Sequence, residues 1–290
     1  MKTKFIFALA VLLLMGSACL KAQENNNSST TYEEGDLNHD GEVDVADITC
    51  LVNLIMNQKK TDYSKKPFTI VPIDSEIRVL FSPYVRGTSH DAYSISYSTD
   101  GGQTWSSIIG DYYEQLTIAS DEELMIKLQG GIDLFGSFSV SGGNFNVEGN
   151  IMSLIKEGDF ESAMSIQSWD TFYLKGFFKG KTNLISAENL VLPATYLAEN
   201  CYANMFEGCT SLTKAPKLPA TTLVNGCYAS MFAGCTSLKY VNCSATDISA
   251  QDCTKDWLKD VSPTGTFVKA SSMEGWTTGA SGIPSGWTVK

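Results

Sequence analysis

The sequence predicts a mixed α/β, multi-domain chain: a short acidic loop followed by a helix, an antiparallel β-sandwich-like domain, and a short C-terminal solenoid. Three observations predict it. Residues 36–47 read DLNHDGEVDVAD and run into the amphipathic stretch ADITCLVNLIMN. Residues 68–150 hold short β-rich runs separated by Gly, Asp, Ser and Pro. The segment CYANMFEGCTSL at 201–212 returns as CYASMFAGCTSL at 227–238, and LPAT at 192–195 returns at 218–221, both after 26 residues. Near-identity at a fixed spacing marks stacked units, each burying its apolar face on the next.

The N-terminus opens MKTKFIFALAVLLLMGSACLKAQ. Two lysines, an apolar run and small residues make a secretory signal peptide over 1–22, too short to span a bilayer. The expected location is therefore extracellular or on the outer cell surface. MGSAC resembles the bacterial lipobox, which implies a possible lipid anchor at Cys19 as the only membrane attachment. Residues 23–33, rich in Asn and Ser, read as a disordered linker, and 59–67 as a polar, basic linker. The net charge of −11 disfavours nucleic acid and anionic lipid as partners.

The acidic loop carries the clearest chemistry. Asp36, Asn38, Asp40, Asp44 and Asp47 stand at positions 1, 3, 5, 9 and 12 of an EF-hand-type loop, with Gly41 at the sharp turn and the Glu42 carbonyl at position 7. A hard cation takes six to eight oxygens, and alternate residues of a tight loop point inward to supply them. Ca2+ is the expected cofactor, in a structural role. Ile48, Leu51, Leu54 and Ile55 recur at helical spacing and predict a helix over 46–57. The unit at 34–58 resembles a type I dockerin repeat, whose loop also ends in Asp. That family carries two such units and this chain shows one.

In the middle region, 68–174, residues 98–105 read STDGGQTW and match the Asp-box pattern SxDxGxTW. The box predicts a hairpin in which Asp100 bonds the turn backbone and Trp105 packs beneath. It resembles the boxes of sialidase-type propellers. Those carry several copies and an arginine cluster, whereas this chain has one copy and only Arg78 and Arg86. The box is read as structural.

Over 175–290, FFKGKTNL at 177–184 is an early unit and QDCTKDWLKDVSP at 251–263 a degenerate last one. LPATTL reads as a bend and CYASMFAGC as a short helix. Cys201, Cys227 and Cys253 lie one period apart, as do Cys209 and Cys235. The spacing favours a column of buried free thiols over disulfides, and zinc is disfavoured because no CxxC pair occurs. The FxGCxSL units resemble those of the BspA-like leucine-rich repeat surface proteins of Bacteroidetes-type bacteria. The resemblance implies a leucine-rich-repeat-like array with a C-terminal cap and an adhesive role, with no ligand residues to carry over.

His39 and His90 are the only histidines, GxSxG is absent, and no motif frames a carboxylate pair. The chain is therefore expected not to be an enzyme. The expected function is non-catalytic binding of a protein ligand on a host or bacterial surface. The alternative is a glycan-binding accessory protein, suggested by Trp105, Trp169, Trp257, Trp276 and Trp287.

Overall fold

The computed structural model describes residues 43–45, 47–48, 61–82, 94–109, 114–129, 137–168, 170 and 174–290. The chain divides into two units, 1–61 and 62–290. In the first, Val45, Asp47 and Ile48 are helical.

The second unit is built on two sheets. The first eight strands are β1 (Phe68–Pro72), β2 (Ile77–Ser82), β3 (Ser94–Ser98), β4 (Ser106–Ile109), β5 (Glu114–Ile118), β6 (Leu124–Leu128), β7 (Ser137–Gly142) and β8 (Phe145–Asn150). Five more follow: β9 (Leu184–Val191), β10 (Lys214–Leu218), β11 (Tyr240–Cys243), β12 (Gly265–Lys269) and β13 (Trp287–Val289). Ten strands form one sheet in the order β13-β12-β11-β10-β9-β8-β1-β6-β3-β4, and β5-β2-β7 form a second. From β4 to β8 the large sheet is antiparallel; from β8 to β13 every pairing is parallel. The small sheet meets the large one through Phe138 and Phe68, ring centroids 6.2 Å apart. Phe177 and Phe178 join this contact and extend the same apolar core into the parallel half.

Between successive parallel strands the chain forms flat layers of turns. Within the layer at 200–209, Ala203, Met205 and Glu207 donate their N–H groups three residues back, to the carbonyls of Asn200, Tyr202 and Asn204. The alternate residues donate out of the layer. Tyr202 N–H bonds Cys227 O at 3.0 Å, Asn204 bonds Ala229 O at 2.9 Å, and Phe206 bonds Met231 O at 2.8 Å. The next layer repeats the pattern, Tyr228 to Cys253 at 2.9 Å, Ser230 to Lys255 at 2.8 Å and Phe232 to Trp257 at 2.9 Å. Each out-of-layer bond reaches 25 residues on. Every fourth residue takes the left-handed conformation that closes the turn: Asn200, Asn204 and Gly208, then Gly226, Ser230 and Gly234, then Asp252, Asp256 and Asp260. Gly, Asn and Asp tolerate that region best.

This overturns the expected mixed α/β class and the leucine-rich-repeat-like solenoid. CYASMFAGC is not a helix. An α-helix needs each N–H for the carbonyl four residues back, and here half of them serve the next layer. Left-handed φ at every fourth residue also breaks any right-handed helix. Among the described residues of the second unit, the longest continuous helical stretch is a four-residue 3-10 turn, Ile151–Leu154. Among the described residues regular secondary structure is almost entirely β, which does not fit the BspA-like or the dockerin repeat architecture.

Stacking puts equivalent side chains in register. Phe178, Phe206 and Phe232 lie nearly parallel, with centroids 4.9 and 5.4 Å apart. Tyr202, Tyr228, Trp257 and Trp276 form a second column, at 6.1, 6.2 and 5.3 Å. Each fully buried ring contributes about 1.5–3 kcal/mol relative to an exposed one. Cys201, Cys209, Cys227, Cys235, Cys243 and Cys253 are free and buried. Burial pushes the thiols up, to about 11 in Cys209 and about 12 in Cys227 and Cys243, which keeps them unreactive. The last layer is closed by the tail: Leu258 N–H bonds Ala280 O, Thr254 Oγ1 bonds Ser281 O, and Trp257 Nε1 bonds Gly282 O.

Candidate recognition surface

A strand in a sheet with one packed face alternates buried and outward residues. In the parallel half the inward positions are Leu184, Ala187, Ala215, Leu218, Val241, Cys243 and Phe267. The outward ones align across six strands. Asn146 pairs with Ser186, Ser186 with Lys214, Lys214 with Tyr240, Tyr240 with Thr266, and Thr266 with Thr288. A second row joins Lys217, Asn242 and Val268. Lys214 Nζ pairs with Glu188 at 2.6 Å, both side chains about half exposed, so this pair adds little stability. With Glu188 beside Lys214, the face presents donors, acceptors, both charge signs and one phenol.

Where the face continues onto β8 it meets a tighter cluster. Lys66 Nζ sits between Glu123, at 2.7 Å, and Glu148, at 2.5 Å. Burial pulls the Lys66 ammonium down, but its bonds to Glu123 and Glu148 outweigh that and hold it above the ordinary lysine value. Tyr63 accepts a bond from Asn189 Nδ2 at 3.0 Å, and burial raises its phenol. The segment carrying Tyr63 and Lys66 is tied to the sheet by Asn150, whose N–H donates to Lys66 O and whose Nδ2 donates to Ser64 O.

The Asp-box turn stands at the antiparallel end. Asp100 accepts from Thr104 N–H at 2.9 Å, Thr104 Oγ1 at 2.6 Å and Ser98 Oγ at 2.7 Å. These bonds hold its carboxyl at about 2. Trp105 donates to Gly102 O at 3.0 Å and carries Lys127 Nζ 3.9 Å from a ring centroid. Trp105 is half-buried beneath a cation rather than part of the main core.

Of the expected metal residues, Asp36, Asn38, Asp40 and Glu42 lie outside the described residues, as do Cys19, Cys50 and Trp169. Asp44 and Asp47 are described. Asp44 N–H donates to Asp47 Oδ2 at 2.7 Å, and Asp47 is 4% exposed whereas Asp44 is exposed. This is the back-bond of a capping box, an acid in the first turn closing onto the cap residue's amide. Among the described residues, no group of three or more His, Cys, Asp or Glu side chains is placed to hold a metal ion.

No family model, no curated protein and no solved structure matches the chain.

Sequence reading did not find the outward rows. The signal was present in the alternation of YVNC and GTFVK, while KAPKL breaks it at a register shift between Lys214 and Lys217, and the pairing that aligns the strands depends on the layers between.

The depressed Asp100 value sets a pH window. A carboxyl lowered by folding adds stability above its ordinary value of 3.8, and that contribution is lost as pH falls to about 2. A carboxyl-carbon NMR titration should place the Asp100 midpoint near 2, and Thr104 amide protection should fall with it. A midpoint at 3.8 would mean that the turn does not hold the carboxylate.

Proposed function

We propose that the protein is an exported, non-catalytic recognition protein. Its outward sheet face from β8 to β13 binds a protein ligand on a host or bacterial surface. The observation that carries this reading is the register of Ser186, Lys214, Tyr240, Thr266 and Thr288 across adjacent parallel strands. A rigid sheet fixes the spacing of those groups, so little side-chain entropy is lost on binding. The mixed charges suit a polar protein surface. The N-terminal leader supports export, and Cys19 is the place for a lipid anchor if the protein stays attached.

The test is capture from mucosal extract and from bacterial surface fractions by wild-type protein and by a triple variant, Lys214→Glu, Lys217→Glu and Tyr240→Ala. The ligand should bind the variant at least about tenfold more weakly, a loss of about 1.4 kcal/mol. Equal capture by both, or capture of nothing by wild type, would contradict the reading.

Calcium belongs to the same proposal, in a structural role, held by Asp36, Asn38, Asp40, the Glu42 carbonyl, Asp44 and Asp47. Asp47 supports the fit, being buried and anchored at the start of the helix where a loop's final acid must stand. Chelation should lower the melting temperature and helical signal of residues 1–61 and leave 62–290 unchanged. Asp36→Ala with Asp40→Ala should abolish the chelator's effect. A melting curve unmoved by chelator would remove calcium from the account.

A further inference from the structure

At the free end of the parallel sheet the tail folds back and leaves a groove of about 290 Å³ between β12, β13 and residues 274–285. Its size is at the small end of ligand sites, near 300 Å³. Trp276 lines it. That ring is half-buried and rigidly backed: Trp257 lies parallel at 5.3 Å and Phe267 meets it edge-on at 5.1 Å.

The Tyr202 and Tyr228 hydroxyls of the same column are buried without a partner too, but among the described tryptophans the Trp276 indole N–H is the one left unpaired. Trp257 Nε1 donates to Gly282 O and Trp287 Nε1 to Ser262 O, both at 2.8 Å. Trp276 Nε1 is enclosed and has no acceptor among the described residues. An enclosed donor without a partner costs about 1–3 kcal/mol.

The rim adds unused polar groups. Glu274, Thr278 and Ser285 line the groove, are exposed, and carry no side-chain hydrogen bond among the described residues. Lys269 is the cation on the rim, and its Nζ already donates to Met273 O at 2.5 Å. One cation and one carboxylate leave the groove close to neutral. It offers an anion no net attraction, and its hydroxyls and carboxylate would be stranded by an apolar ligand.

We propose that this groove binds a neutral sugar residue. The ring's C–H face would lie on Trp276, and its hydroxyls would exchange hydrogen bonds with Glu274, Thr278 and Ser285. An aromatic floor beneath a polar rim matches a molecule that is apolar on one face and hydroxylated at its edge. This site is distinct from the outward sheet face and would give the protein a second, glycan-directed contact.

The test uses the full chain. Methyl glycosides of glucose, galactose, mannose and N-acetylglucosamine, with maltose, cellobiose and lactose, are titrated to about 10 mM, which would nearly saturate a site with Kd of about 1 mM. The Trp276 indole N–H signal is followed by NMR. At least one sugar should shift that signal, with the other indole signals moving less. Glu274→Gln and Ser285→Ala should each weaken binding about fivefold or more at unchanged melting temperature. Trp276→Phe keeps a ring in the stack, so it should fold and bind more weakly. The proposal is overturned if no sugar moves the Trp276 signal, if the rim variants bind as wild type, or if only an added extended peptide shifts it.

Discussion

Half of the amides in the turn layers donate to the next layer, and the parallel half of the molecule depends on that bond. Each N–H that reaches a carbonyl 25 residues on fixes the spacing between layers. That spacing sets the aromatic columns near 5–6 Å and keeps adjacent strands in parallel register. A net contribution of about 0.5–1.5 kcal/mol per bond is modest, but a buried amide left unpaired costs more than the bond gains. The layers therefore form together. In the last one the amides of Leu258 and Asp256, which a further layer would otherwise take, donate to Ala280 O and Ser281 Oγ, and the side chains of Thr254 and Trp257 add bonds to Ser281 O and Gly282 O.

The same bond explains the outward face. The flat layers stand on one side of the sheet, and on its other side residues at outward strand positions point away from the core. Because β8 pairs with both β1 and β9, the antiparallel and parallel halves share one sheet and one core. The groups on the face stand on a rigid platform, which suits recognition by position rather than by induced fit. The groove at the β13 end arises from the closing tail, where Trp276 continues the aromatic column and leaves its indole N–H unmatched.

Much of this was legible in the sequence. The cysteine columns correctly read as buried thiols and STDGGQTW as a turn held by Asp100, whereas the 26-residue spacing, read as a leucine-rich-repeat-like solenoid, belongs to turn layers joined by hydrogen bonds between parallel strands. The helix assigned to CYASMFAGC was wrong for a physical reason. Tyr228, Met231 and Phe232 have the apolar spacing of a helix face, but the same spacing serves a turn that closes every four residues. The decisive signal was the small or Asx residue at every fourth position: Asn200, Asn204 and Gly208, repeated as Gly226, Ser230 and Gly234, and as Asp252, Asp256 and Asp260. Such residues accept left-handed φ, and a helix would not need them at that interval. The groove was not legible, because it depends on how residues 274–289 close over Trp257.

Amide hydrogen exchange, resolved residue by residue in 200–209 and 226–235, tests the central bond most directly. The interlayer amides of Tyr202, Asn204, Phe206, Tyr228, Ser230 and Phe232 should be as protected as those of β10 and β11, and should open in the same cooperative step. Carbon chemical shifts at Asn204 and Ser230 should report left-handed backbone. Rapid exchange at those six amides, or continuous helical shifts across either segment, would contradict the account.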